Sequence, residues 1–173
     1  MSFGKAFGFS LLAFIGLNAA FFLIGEGVNG TLGIYFTYVA SYPQGIIYML
    51  VGPLMTRTGP QFPYIMYSTF SLWVSGAPVE AGDVIMFIGY IVAPAVAAFL
   101  SGRFGENKLE AFMGWFATVM IWALIIMIVL IIEAVTLGVP PLVTFLSAML
   151  PIAIGLVYGL SFGSIALLTT REF

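Results

Sequence analysis

The longest apolar stretch of the chain extends from Ala111 to Ile132 and is followed by a glutamate at Glu133. It contains no charged side chain and is long enough to cross a membrane, because a helix of about 20 residues spans the ~30 Å hydrocarbon core. A helix of a soluble protein keeps one polar face towards water. Apolar residues on every face therefore predict a helix that is surrounded by lipid.

Five further apolar segments are separated from one another by charged residues, glycines and prolines. Together they predict an all-α fold, a polytopic transmembrane helical bundle of about six spans that forms a single integral membrane domain over residues 1–173. The predicted spans cover residues 4–25, 31–56, 61–76, 83–101, 111–132 and 142–170.

The second and third segments leave the number of spans open. Pro43 and Gln44 interrupt the second segment, and a proline there produces either a kink or a true helix break. The third segment, residues 61–76, is short for a span and mixes aromatic residues with serine and threonine. The alternative is therefore four or five spans with an interfacial or re-entrant helix.

Charged residues predict the orientation of the bundle. With six spans, every basic residue falls on one side, and four acidic residues fall on the other. Basic loops mark the cytoplasmic side, so we expect a multi-pass protein of the cell membrane with both termini in the cytoplasm. The basic residues are Lys5, Arg57, Arg103, Lys108 and Arg171, and the four acidic residues are Glu26, Glu80, Asp83 and Glu133.

Composition narrows the functional classes. Hydrophobic residues make up 62% of the chain and charged residues 7%, and His and Cys are absent. The usual ligands of haem, zinc and iron–sulfur clusters are therefore missing, as are thiol nucleophiles and imidazole bases. We expect no enzymatic activity, no cofactor, no bound metal and no nucleic-acid partner. An enzyme acting on lipid headgroups would need the four acidic residues to converge.

A glycine at every fourth position of the last predicted helix is the sharpest local motif. Gly155, Gly159 and Gly163 predict a helix-packing interface, because small residues let membrane helices approach closely. Packing within the chain is the favoured interpretation, and dimerisation is the alternative. A second row of small residues on the fourth predicted helix, Gly89, Ala93 and Ala97, is the expected mate.

Four residues are candidates for contact with a solute or an ion, namely Asn18, Pro43, Gln44 and Glu133. Asn18 is the only amide inside the first span, where it can bind a neighbouring helix or a polar solute. A break at Pro43 and Gln44 would expose backbone polar groups, which transporters use as binding sites. Glu133 binds a proton or cation if it lies in the membrane, and it reaches water if it lies at the helix end.

These features lead to two functional hypotheses. The first is a small non-catalytic integral membrane subunit that packs in a larger membrane assembly of transport or energy-coupling type. Its expected partners are the lipid bilayer and either other membrane subunits or further copies of the chain in a homo-oligomer. The length and the six predicted spans resemble the substrate-binding subunits of energy-coupling-factor transporters in size and topology only. The alternative is a carrier or channel for a small, largely neutral solute, alone or as a homo-oligomer, which the polar residues Ser68, Thr69, Ser71 and Ser75 of the third segment favour.

Overall fold

The computed structural model describes residues 2–51, 74 and 80–170, and within these ranges the chain is helical with no strand. The all-helical prediction is thereby confirmed. The described helices are α1 (Ser2–Val28), α2 (Leu32–Ser41), α3 (Gly45–Val51), α4 (Ala81–Phe104), α5 (Lys108–Thr136) and α6 (Pro141–Thr169).

Four of these helices, α1, α4, α5 and α6, are long and apolar enough to cross a membrane. Within the described residues, the second predicted segment contains α2 and α3, which are separated by the turn at Pro43 and Gln44. Apart from Val74, the third predicted segment lies outside the described residues. The protein is therefore a membrane bundle of about four to six spans, which agrees with the prediction.

Helices α1 and α4 form an antiparallel pair and make the most extensive contact in the described part of the bundle. At one end, the Phe9 and Phe104 rings stack with centroids 4.1 Å apart. At the other end, a Cβ on Gly25 would lie 2.7 Å from the carbonyl oxygen of Gly82. Any side chain at Gly25 would push the two backbones apart.

Helices α5 and α6 form the second antiparallel pair, joined by a short turn. Gly138 adopts the left-handed conformation, with φ of 68°. The amide of Val139 donates to the carbonyl of Ala134, and the amide of Gly138 donates to that of Val135. This is a Schellman motif, which favours glycine because an L side chain strains the left-handed conformation. The turn reverses the chain and lays α6 along α5.

The two pairs meet closely at the end where α1 begins and α6 finishes. There, a Cβ on Gly114 of α5 would lie 3.0 Å from the Cβ of Ala6, and one on Gly102 of α4 would lie 2.5 Å from the carbonyl oxygen of Ala166. Trp115 is fully buried between the two pairs, with its ring edge-on to that of Phe14. Its indole N–H donates to the carbonyl of Gly159 at 3.1 Å.

Charges distinguish the two ends of the bundle. We call the end that carries Lys5, Arg103 and Lys108 the basic end, although Glu106 and Glu110 share it. We call the opposite end, with Glu26, Glu80, Asp83 and Glu133, the acidic end. Buried positions lie on two faces of α4 near the basic end, and only on the side towards α1 near the acidic end. The first seven residues of α6 contain no buried side chain.

Candidate functional site

The buried amide of Asn18 is the most unusual polar group in the described part of the bundle. Its side chain is only 3% exposed, and neither the nitrogen nor the oxygen of its amide makes a hydrogen bond. The hydroxyl of Ser10, on the same side of α1, and the indole nitrogen of Trp122 on α5 are also buried without a partner. Sequence analysis singled out Asn18 but missed Ser10 and Trp122.

The contrast with the other asparagines is informative. Asn29 accepts a hydrogen bond from the amide of Gly82 at 2.8 Å and donates to the carboxylate of Asp83 at 3.1 Å. Asn107 caps α5 by accepting from the amide of Glu110 at 2.9 Å. Both of these asparagines stabilise helix ends, whereas Asn18 lies inside a span and stabilises none.

The acidic end is held together by polar contacts around the α1–α2 corner. Thr31 donates its hydroxyl to the carboxylate of Glu26 at 2.6 Å, and Asn29 ties this corner to the start of α4. These bonds fix Glu26 and Asp83 in structural roles. Within residues 2–51 and 80–170, no three carboxylates, histidines or cysteines come together to hold a metal ion.

Pro43 and Gln44 lie in a turn between two helices. Tyr42 has a non-helical conformation, with φ of −134° and ψ of 82°, so the helix is broken there and not merely kinked. The hydroxyl of Tyr35 donates to the carbonyl of Gly45 at 2.7 Å, which ties α3 back towards the first half of α2. Pro43 is exposed, and Gln44 is half-buried.

Glu133 lies near the end of α5 and is half-buried. The hydroxyl of Tyr48, a buried residue of α3, donates to its carboxylate at 2.8 Å. This contact brings α3 to the acidic end of α5. Glu133 is thus engaged by a neighbouring segment of the chain, and Tyr48 is a contact residue that the sequence pattern did not single out.

The glycine row faces α5 of the same chain, at Gly155, Gly159 and Gly163. A Cβ on Gly159 would lie 2.8 Å from the ring of Phe116, and one on Gly163 would lie 2.6 Å from the ring of Phe112. The expected mate was wrong, because Gly89 of the other small-residue row packs against Phe21 of α1. The stacked rings of Phe112 and Phe116 fill the groove at Gly163 and Gly159, whereas a Cβ on Gly155 would lie 2.9 Å from the Cβ of Ala123.

Comparisons with protein-family models, with curated proteins and with solved structures find no match to this chain. Function is therefore argued from the residues of the chain itself. The arrangement shows an integral membrane protein with two features that need an explanation. These are the Asn18 amide inside the bundle and the apolar turn that joins α5 to α6.

Proposed function

We propose that this protein is a non-catalytic subunit of a larger integral membrane assembly. The observation that carries the proposal is the apolar surface at the α5–α6 turn, which we call the hairpin tip. Leu137 and Leu142 at this tip are 71% and 70% exposed. The other large exposed residues of the hairpin tip are Ile132, Val135, Val143, Phe145 and Leu146.

The length of α5 supports a position of the hairpin tip outside the hydrocarbon core. Its 29 residues extend about 43 Å at ~1.5 Å per residue, against a core of ~30 Å. A tilt of about 20° shortens this projection by only about 6%. Because Lys108 at the start of α5 is exposed and charged, it belongs in the headgroup region. The hairpin tip then reaches the headgroup layer on the opposite side.

Large apolar side chains are unfavourable in that layer. Burying a leucine or phenylalanine side chain away from water contributes roughly 1.5–3 kcal/mol, so several neighbours provide a substantial driving force for association. Another membrane polypeptide supplies apolar side chains at that depth, whereas lipid headgroups do not. The occupant we propose is therefore a different membrane subunit that covers the hairpin tip.

The orientation and the type of assembly belong to the same proposal. The separation of Lys5, Arg103 and Lys108 from Glu26, Asp83 and Glu133 supports a cytoplasmic basic end under the positive-inside rule. Placement in the cell membrane and an assembly of transport or energy-coupling type stay predictions from the sequence. The absence of His and Cys from the whole sequence supports a non-catalytic role.

Site-specific photocrosslinking tests the proposal. A benzophenone amino acid at Leu142 should crosslink to a second polypeptide in native membranes, because this side chain belongs to the hairpin tip. The same amino acid at Leu160, which is 62% exposed on the same helix, is the matched control and should react mainly with lipid. Equal protein crosslinking at the two positions, or none at Leu142, would contradict the proposal. A product of twice the chain's mass would indicate a second copy and would refute the different subunit.

A carrier for a small neutral solute is the second candidate, and Asn18 is the observation that favours it. The serine and threonine residues of the third predicted segment, at positions 68, 69, 71 and 75, lie outside the described residues.

A further inference from the structure

We propose that Asn18 anchors an internal binding site for a small, uncharged molecule that both donates and accepts hydrogen bonds. Such molecules belong to the class of simple amides and polyols. The site goes beyond the role of a packing subunit, and it rests on a different part of the bundle from the hairpin tip.

The energetic argument begins with the capacity of the side chain. An asparagine amide has two N–H donors and an oxygen with two lone pairs. Leaving a buried donor or acceptor unsatisfied costs about 1–3 kcal/mol, and Asn18 leaves both kinds unsatisfied. In membrane bundles such amides usually bind a neighbouring helix. Among the described residues, none fills that role for Asn18.

The location of Asn18 favours a ligand over water from either surface. Helices α1 and α5 run in the same direction, and Ala6 lies beside Gly114. Asn18 is as far along α1 from Ala6 as Ile126 is along α5 from Gly114. Trp122 is therefore about one turn nearer the basic end, inside the same span. The site belongs to the middle of the bundle and not to a helix end.

Two more unsatisfied groups lie nearer the basic end than Asn18 does. Trp122 is about one turn away, whereas Ser10 is about 12 Å away along α1 at ~1.5 Å per residue, outside the reach of a small ligand at Asn18. The Ser10 hydroxyl is fully buried, and the Trp122 indole N–H is out of contact with solvent. Threonine can satisfy itself on its own helix, as Thr118 does by donating to the carbonyl of Gly114 at 2.9 Å. Ser10 does not do so. Asn18 and Trp122 together carry three N–H donors against the two lone pairs of one amide oxygen, so the ligand must offer at least one good acceptor.

The charge distribution determines that the ligand is neutral. The nearest charged residues along α1 are Lys5 and Glu26, and Glu26 is about 12 Å away at ~1.5 Å per residue. An ion at Asn18 would be desolvated without a counter-charge, which is far more costly than burying an uncharged polar group. Tyr90, Trp122 and Tyr158 are partly buried aromatic side chains that pack against the core of the bundle.

The composition of the chain makes this site directly observable. The sequence contains three asparagines, Asn18, Asn29 and Asn107, and three tryptophans. Protein labelled with ¹⁵N at asparagine and tryptophan therefore gives few side-chain NMR signals, and Asn18→Leu and Trp122→Phe assign the two of interest. Asn29, Asn107 and Trp115 have protein partners and are internal controls.

The experiment titrates the labelled full-length protein with acetamide, glycerol and, as a charged control, acetate. We expect acetamide or glycerol to shift the Asn18 amide and Trp122 indole signals saturably, and we expect acetate to leave them unchanged. The Trp115 indole signal should not move. Unchanged Asn18 signals with both neutral probes, or shifts in parallel with exposed Asn107, would overturn the proposal. Water contacts at Asn18 without any response to either probe would show a water site only and would also overturn it.

The thermal stability of Asn18→Leu supplies a second measurement that is independent of ligand affinity. Leucine has nearly the shape of asparagine, and replacing an unsatisfied polar group by an apolar one should leave the melting temperature equal or higher. A clear drop in melting temperature would mean that Asn18 has a protein partner, which would overturn the site. The Asn18→Leu protein should keep its partner subunit, because Asn18 lies away from the hairpin tip. Failure of the subunit proposal can therefore be distinguished from failure of this one.

Discussion

The hydroxyl of Tyr48 donates a hydrogen bond to the carboxylate of Glu133 at 2.8 Å and joins two segments that are distant in sequence. Tyr48 belongs to the short helix α3, and Glu133 belongs to the end of α5. Because α3 also packs along α1, this bond ties the broken second segment to the acidic end of the bundle. The break at Pro43 and Gln44 is what brings Tyr48 to this position.

Removing that hydroxyl should weaken the attachment of α3. We expect Tyr48→Phe to lower the free energy of unfolding by about 1–2 kcal/mol, since hydrogen bonds to charged groups are worth more than neutral ones. Tyr42→Phe is the control, because the Tyr42 side chain is exposed and stacks on Tyr38. Thermal or denaturant unfolding in detergent measures both variants. Equal stability of Tyr48→Phe and the parent would show that the bond contributes nothing.

The glycine groove on α6 predicts a strong asymmetry between neighbouring positions. Gly159→Leu should destabilise the bundle by about 1–3 kcal/mol, because the new side chain would collide with the Phe116 ring. Leu160→Ala should have a smaller effect, because Leu160 points away from the bundle and is largely exposed. Unfolding in detergent, read together with particle mass, compares the two. A Gly159→Leu protein as stable as the parent would refute close packing at this site.

The topology can be tested with single cysteines, because the chain has none of its own. Glu106→Cys at the basic end should react with a membrane-impermeant thiol reagent from the cytoplasm, and Glu80→Cys, exposed at the acidic end and outside the hairpin tip, should react only from the opposite side. Pro60→Cys tests the six-span prediction, because with six spans position 60 should react from the same side of the membrane as Glu106→Cys. Reaction of position 60 from the same side as Glu80→Cys would exclude the six-span arrangement.

Much of the fold could be predicted from the sequence because long apolar helices leave an unambiguous pattern. The four long helices follow from the hydropathy of the chain, and Asn107 caps α5 at the position that its spacing to Glu110 indicates. The Glu110 carboxylate accepts a hydrogen bond from the amide of Glu106 at 3.4 Å, a contact that the sequence pattern did not indicate.

Contacts between distant segments could not be predicted. The spacing of Gly155, Gly159 and Gly163 identifies a groove, but nothing in the pattern says that aromatic rings of α5 fill it at Gly159 and Gly163. The pairing of Tyr48 with Glu133 depends on where the chain turns after Pro43. Hydropathy also treats Trp122 as an apolar residue, so it gives no signal that its indole N–H is unsatisfied.

Native mass spectrometry tests the central claim most directly. The protein, extracted from its native membrane in a mild detergent, should be detected with at least one different polypeptide attached. The mass of the complex identifies that polypeptide, and serine substitutions at Leu137 and Leu142 should release it. Detection of the monomer alone, in a detergent that preserves other complexes of the same membrane, would contradict the account.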